Sequence, residues 1–298
     1  MSVGTPPSPT APTAGPAAGP VAATGPVLVV SHERSGTHLL IDALRRNFAA
    51  CCARPKRFAN PHDWIYFSAD RLREGHPRAV GTNAAERALA RAQRPILKAH
   101  MTPDFPGLRP ENREWFLDRA RAATTLHLHR DGRDVLCSYH RLRLRASAET
   151  PPTVSAFLRS KVEGHNVVRF WAEHTRAWLE AEDAVSIAFE SLLTEPDATL
   201  QSIARALGLA RKAVARPLPE RGTSPWPARF SRLTGRLESS NLVSLGPVGL
   251  PGRWQDAFTR DDRAYFHEQA GEILQRLGYA DSEGWIDRDP ARPGGPGG

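Results

Sequence analysis

The sequence predicts an α/β fold in which a parallel sheet is flanked by helices within a single domain. Short apolar runs alternate with segments of helical periodicity, which is typical of βαβ units. The runs predicted to form strands are residues 26–30, 95–100, 124–129 and 184–189. The predicted helices are residues 37–48, 133–146, 157–181 (one long amphipathic helix or two), 196–209 and 261–279. In such sheets ligands bind at the carboxyl ends of the strands.

Local patterns support these elements one by one. The run PVLVV at 26–30 is uninterrupted and apolar, and in the next segment apolar residues recur every four positions up to Phe48. The run TTLHLH at 124–129 begins with β-branched residues, which favour strands. Pro196 stands in the first turn of a later helix and Gly208 near its end, as helices prefer.

The folded domain is predicted to span residues 25–285. Residues 1–24 consist mainly of Pro, Ala, Gly and Thr, which bury too little apolar surface to become ordered, so a flexible arm is expected there. The tail at 286–298 is interpreted in the same way. Residues 210–250 are rich in Arg, Pro, Ser and Gly and are predicted to form a lid or a long loop.

The net charge of +8 favours anionic partners such as nucleic acid, an anionic membrane surface or a phosphorylated cofactor. A composition rich in Arg and Ala also produces basic surfaces without such partners. Cys51, Cys52 and Cys137 have neither a disulfide-framework nor a zinc-site spacing, which indicates a reducing compartment. No membrane span and no signal peptide are recognisable, so we expect a cytoplasmic protein.

The stretch SHERSGTHLL at 31–40 joins the first predicted strand to the first predicted helix. A helix that begins directly after a strand and a turn offers backbone N–H groups and partial positive charge to phosphate or sulfate. The N–H groups that would face the ligand belong to Ser35, Gly36, Thr37 and His38. Gly36 allows close approach of the backbone, and Arg34 adds a full charge.

The same stretch departs from the phosphate loop G-x-x-x-x-G-K-[ST]. Ser31 replaces the first glycine, and Thr37 and His38 replace the lysine and the Ser/Thr. A P-loop kinase or nucleotide-binding protein would therefore lack its phosphate lysine and magnesium hydroxyl, but this function is kept as the alternative. An ordinary capped Ser–Gly turn also fits the stretch.

Two further polar groups follow predicted strands. Lys98 and His100 stand two apart, so they share one face of a strand, and the imidazole could remove a proton from an acceptor hydroxyl. Arg130 and Ser138 flank the next strand–turn–helix and could clamp a second phosphate, while Asp134 is predicted to cap that helix. Taken singly, each of these residues is also compatible with an ordinary surface position.

Five ordered segments resemble motifs of the sulfotransferases that use 3′-phosphoadenosine 5′-phosphosulfate (PAPS), bacterial members in particular. RSGTHLL resembles their 5′-phosphosulfate loop, LKAH their catalytic-histidine segment, and HRDGRDVLCSYH their 3′-phosphate motif. AFESLLTEP and GLPGRWQDAFT are similar to two later motifs, so the matches run from 31 to 259. The resemblance implies a fold like that of the P-loop nucleoside triphosphate hydrolases, PAPS as the donor, and no metal.

The resemblance also implies site residues. His100 would be the general base, Lys98 would assist the sulfuryl oxygens, and Arg34 would neutralise charge on the bridging oxygen. The cofactor-binding residues that it implies are Arg34, Ser35, Gly36, Thr37, His38, Arg130, Ser138, Phe189, Gly249 and Arg253.

Several positions depart from the family pattern. Leu39 stands where a tryptophan often packs against adenine, and Phe189 replaces a tyrosine. Residues 247–249 replace an Arg-Lys-Gly segment that contacts the 3′-phosphate, so Arg253 or an arginine of 221–236 is expected to substitute. Trp254 is interpreted as a core anchor rather than a ligand.

The expected acceptor is a small molecule or carbohydrate with a hydroxyl or, less often, an amine. Trp64, Tyr66 and Phe105 either line its pocket or belong to the core. A basic nucleic-acid-binding module is compatible with the charge, but no recognised binding motif is present, so no nucleic acid is expected as a partner. A protein that binds the donor without catalysis is a further alternative, which the presence of Arg34 and His100 disfavours.

Overall fold

The computed structural model describes residues 25–52, 66–212 and 251–287. The predictions for the two termini and for most of 210–250 lie outside these residues, as do Trp64 and Gly249.

The described strands form a five-stranded sheet in the order β2-β3-β1-β4-β7, with every neighbouring pair parallel. The strands are β1 (Val27–Val30), β2 (Phe67–Ser68), β3 (Ile96–Ala99), β4 (Thr124–His129) and β7 (Ala184–Ala188). Val30, the last residue of β1, is in register with Ala99 of β3 and His127 of β4. The segments that follow these three central strands therefore meet at one edge of the sheet, as the sequence predicts.

Helices cover both faces of the sheet. They are α1 (Thr37–Asn47), α2 (Thr82–Leu89), α3 (Pro110–Arg121), α4 (Gly132–Ala146), α5 (Val154–Arg159), α6 (Val167–Leu179), α7 (Phe189–Thr194), α8 (Pro196–Leu207), α9 (Trp254–Ala257) and α10 (Arg260–Arg276), with 3₁₀ turns at Ala49–Cys51, Ala69–Leu72 and Glu283–Trp285. As predicted, α8 starts at Pro196 and ends at Gly208, whose φ is 62°. The sequence did not indicate α3, which buries only Asn112 and Phe116 and so has little apolar periodicity.

Of the two alternatives for residues 157–181, one helix or two, the structure has two, but the prediction is wrong for residues 160–166, which are not helical. A two-stranded antiparallel hairpin, β5 (Lys161–Val162) and β6 (His165–Asn166), separates α5 from α6. Its turn is Glu163-Gly164, and both residues have positive φ, 52° and 85°. Two positive φ values are typical of the tight hairpin turns that match strand twist, so Gly164 belongs to the hairpin turn and not to a helix.

Alternate residues of β1 contribute to cores on the two faces of the sheet, because successive strand residues point to opposite sides. Val27 and Val29 pack in the cluster that includes residues of α1 and α8, and Leu28 and Val30 in the one that includes residues of α2 and α3. A third cluster joins α4, α6 and α10 and contains Trp254, which confirms the prediction of a core anchor.

The cysteines and the apolar character of the helices were considered in the sequence analysis and are described by the structure. Cys51, Cys52 and Cys137 form no disulfide. None of the described helices combines the length and apolar character that a bilayer crossing requires.

Candidate active site

A cavity of about 800 Å³ opens where β1, β3 and β4 end. Nine of the predicted catalytic and cofactor-binding residues line it: Arg34, Gly36, Thr37, His38, Lys98, His100, Arg130, Ser138 and Phe189. Ser35 is buried and does not line the cavity, and Arg253 is exposed and does not line it either. The three strand exits that were predicted to converge therefore do so around one space.

Gly36 sets the shape of the loop between β1 and α1. Its φ is 100°, a conformation that side chains rarely adopt, and a Cβ atom there would lie 2.3 Å from Cδ2 of Phe189. Ser31 Oγ and Thr37 Oγ1 are hydrogen-bonded at 2.7 Å across the loop. The Ser35 hydroxyl is buried and has no hydrogen-bond partner among the described residues. The left-handed turn that Gly36 allows before α1, and the unsatisfied Ser35 hydroxyl, suit an anion held by the loop.

Cations surround this loop. Arg34 Nε donates to Ser138 Oγ over 3.2 Å, which links the loop to α4. The Arg130 guanidinium lies 4.4 Å from the centre of the Phe189 ring, and it approaches Asp134 to 3.8 Å. Burial lowers the pKa of Arg34, and the neighbouring arginines, Arg130 among them, lower it further. Repulsion among these cations is relieved when an anion occupies the space between them.

The His100 imidazole has a defined tautomer. Its Nδ1 lies 2.7 Å from the carbonyl oxygen of Ser31, and because a carbonyl only accepts, Nδ1 carries the proton. Nε2 is therefore the nitrogen with a free lone pair. Burial, and next the charge of Lys98, lower the pKa of His100 to about 4. The ring is neutral at pH 7 and can accept a proton at Nε2.

Asp70, which the sequence analysis did not single out, supports both predicted catalytic residues of β3. Its Oδ1 accepts from the backbone N–H of His100 at 3.0 Å, and its Oδ2 lies 3.5 Å from Lys98 Nζ. Ser68 Oγ donates to the same Oδ2 at 2.9 Å. Burial opposes ionisation of Asp70, but Lys98, His100 and the hydrogen bonds outweigh it and bring the pKa to about 2.

Asp134 has a different role from the predicted helix cap. The side chain that caps α4 is that of Asp131, which accepts from the backbone N–H of Arg133. Asp134 instead accepts from the backbone N–H groups of Gly252 and Trp254 at 2.7 and 3.1 Å. It therefore joins the segment before α9 to the helix that carries Ser138.

Two aromatic residues considered from the sequence, Tyr66 and Phe105, do not line the cavity. Phe105 packs in the core against Phe116 and Trp178, and Tyr66 lies beneath Lys98 and His38. The residues that line the cavity include the aromatic Tyr139 and Phe170, together with Glu33 and the β5–β6 hairpin residues Val162, Glu163 and His165. The hairpin that the sequence analysis missed thus contributes to the site.

The model of the family described as "Sulfotransferase domain" matches residues 24–278. The chain belongs to the sulfotransferase family. Among solved structures, mouse sulfotransferase SULT7A1 complexed with PAP is similar, with 15% identity, 90% of each chain covered and a TM-score of 0.50. A sulfotransferase from Alicyclobacillus acidocaldarius is 16% identical over 88% of this chain and 98% of that chain, with a TM-score of 0.49.

The fold expected of a sulfotransferase is confirmed: a P-loop-like α/β domain with helices on both faces of a parallel sheet. Within residues 25–52, 66–212 and 251–287 of this sulfotransferase, His, Cys, Asp and Glu form no cluster of three or more that could hold a metal ion.

Proposed function

We propose that the protein transfers a sulfuryl group from PAPS to an acceptor hydroxyl or, less readily, an amine. The observation that carries this proposal is the convergence of Arg34, His100 and Ser138 on one cavity at the end of the central strands. The family to which the chain belongs, and the PAP found in the mouse sulfotransferase structure, support the same donor.

The described residues fit a donor with two separated anionic groups. The loop at 31–36 and the start of α1 offer backbone N–H groups, with Arg34 beside them, to the phosphosulfate end. Arg130 and Ser138 line the same cavity and would hold the 3′-phosphate. The Phe189 ring packs against Gly36 and lies 4.4 Å from the Arg130 guanidinium, so it contacts residues from both proposed binding groups. PAPS, when bound, supplies the sulfuryl group to be transferred.

His100 acts as the base in this proposal. Its Nδ1 proton is held by the Ser31 carbonyl, so Nε2 receives the proton of the acceptor hydroxyl as the oxygen attacks. Lys98 places its ammonium near the developing charge on the sulfuryl oxygens, and Arg34 stabilises the charge on the departing phosphate. Asp70 positions both Lys98 and the main chain of His100.

Incubation with PAPS and a panel of alcohols, phenols, sugars and amines, followed by mass spectrometry, tests the proposed reaction. A gain of one sulfuryl group in an acceptor is the expected result. His100→Ala should lower the rate by about 10²–10⁴ if this side chain is the base. His267→Ala is the matched control, since His267 does not line the cavity. A His100→Ala variant within tenfold of the wild type contradicts the assignment of the base.

Binding separates the proposal from a P-loop kinase. Thermal stabilisation by 3′-phosphoadenosine 5′-phosphate (PAP) without magnesium is expected, whereas stabilisation by ATP with magnesium and none by PAP would favour the kinase. Arg130→Ala should mainly weaken binding of PAP, and Arg34→Ala should mainly lower turnover.

A further inference from the structure

The helix that carries Ser138 presents a further cation to the cavity, and we propose that Arg141 belongs to the site for the donor's second phosphate, the one remote from the transferred group. This inference rests on the proposed function, because it adds a residue that recognises the same donor. It assigns to α4 the contact that the sequence analysis expected from Arg253 or residues 221–236.

The spacing of three residues along α4 is the first argument. Ser138, Arg141 and Arg145 are separated by three and four positions, so they share one face of the helix, and all three line the cavity. Arg141 lies about 4.5 Å along the axis from Ser138, so a phosphate bound at the serine hydroxyl is within reach of its guanidinium. Arg145 is about 10 Å from Ser138 along the axis, beyond the same phosphate.

The neighbouring arginines lie close to carboxylates and Arg141 does not, which is the second argument. Arg133 is bound to Asp131 at 2.7 Å and packs on Trp254, and Arg130 lies 3.8 Å from Asp134. The Arg141 side chain forms neither an ion pair nor a hydrogen bond with any residue of the described part of the chain. Arg141 is exposed and lines the cavity, and a cation whose charge is uncompensated there is suited to an anionic ligand.

The electrostatic repulsion among the arginines around the cavity is the third argument. Arg141 lines the same cavity as Arg34. Burial lowers the pKa of Arg34, Glu33 opposes this, and Arg130, Arg141 and Arg145 lower it further. Arg253 is exposed like Arg141 but does not line the cavity. A ligand with a second phosphate between Ser138 and Arg141 would relieve the repulsion among these arginines.

Isothermal titration calorimetry with PAP and with adenosine 5′-phosphate, which lacks the 3′-phosphate, tests the inference. Arg141→Ala should weaken binding of PAP at least tenfold but change binding of adenosine 5′-phosphate less than threefold. Arg143→Ala is the matched control, because Arg143 belongs to the same helix and does not line the cavity. This control should bind PAP within twofold of the wild type.

The inference is overturned if Arg141→Ala weakens binding of PAP less than tenfold. It is also overturned if this variant weakens binding of both nucleotides equally, which indicates a general charge effect. An equal loss of PAP affinity in Arg143→Ala also overturns it. Wild-type protein that binds neither nucleotide contradicts the proposed function as well, whereas wild-type binding of PAP that Arg141→Ala leaves unchanged contradicts this inference alone.

Discussion

The backbone N–H of His100 donates to Asp70 Oδ1 over 3.0 Å, so a carboxylate that follows edge strand β2 fixes the main chain at the end of β3. The other oxygen of the same carboxylate lies 3.5 Å from Lys98 Nζ. One side chain therefore sets the positions of two residues to which the proposed mechanism gives different tasks.

Asp70→Asn tests this positioning role. The amide keeps the size of the side chain but removes the charge that holds Lys98, so we expect kcat to fall about 10- to 100-fold. The KM for the donor should change little, because Asp70 is not among the proposed donor-binding residues. Asp118→Asn, which removes an exposed ion pair with Arg121, is the control. Equal kinetics in Asp70→Asn and the wild type would contradict the role of Asp70.

The pH dependence of kcat/KM follows from the environment of His100. Its pKa is about 4 rather than 6.5, so the neutral base persists as the pH falls and activity should decline only below about pH 5. The charge of Asp70 raises the pKa of His100, so Asp70→Asn should move this acid limb to still lower pH. A limb near pH 6.5 in the wild type would contradict the lowered pKa of His100, and a limb that Asp70→Asn leaves unmoved would contradict its assignment to His100.

Gly36→Ala tests the shape of the phosphate loop. The new Cβ would lie 2.3 Å from the Phe189 ring at a φ of 100°, so we expect a loss of about 2–4 kcal/mol in the free energy of unfolding, together with weaker binding of PAP. Gly75→Ala is a matched control, because its φ is 69° but no atom lies within 4 Å of the added Cβ. It should cost only about 1 kcal/mol. Urea denaturation of both variants measures the difference, and equal losses would contradict the steric argument.

Asp134→Asn tests the connection between α4 and the segment before α9. Asparagine retains one acceptor for the N–H groups of Gly252 and Trp254 and removes the charge beside Arg130. We expect a loss of about 2–3 kcal/mol in the free energy of unfolding, measured by urea denaturation. Asp256→Asn, at an exposed position of α9, should change it by less than about 0.5 kcal/mol. A stable Asp134→Asn variant would show that this carboxylate is dispensable.

Buried histidines should make the fold sensitive to mild acid. Burial lowers the pKa of His32 to about 4 and that of His127 to about 3, while both titrate near 6.5 in the unfolded chain. Below pH 6.5 the unfolded state therefore binds more protons, and stability is lost as the pH falls from about 6.5 towards 4. Each residue contributes about 3 kcal/mol to this loss.

The difference between the wild type and His127→Gln isolates one contribution. Glutamine does not titrate, so the free energy of unfolding of His127→Gln should fall less steeply than that of the wild type between pH 6.5 and 4.5. Parallel curves from urea denaturation at several pH values would contradict the assignment.

The parts of the site that depend on strand order alone could be predicted from the sequence. Arg34, His100 and Arg130 follow strands that a parallel sheet places side by side, so their convergence needed no knowledge of side-chain contacts. Asp70 was missed because β2 has only two residues, too few for a strand pattern. The contribution of the β5–β6 hairpin to the cavity was missed because its turn lies within a segment that has helical periodicity in the sequence.

The partner of the His100 Nδ1 proton is the carbonyl oxygen of Ser31, an atom that every amino acid provides. Replacement of the side chain at position 31 therefore leaves the orientation of the ring intact, in contrast to enzymes in which a carboxylate performs this task. The tautomer therefore depends on the main chain at the end of β1 and not on which side chain stands at position 31. An insertion at this strand exit, which would move the carbonyl relative to β3, should abolish the preference.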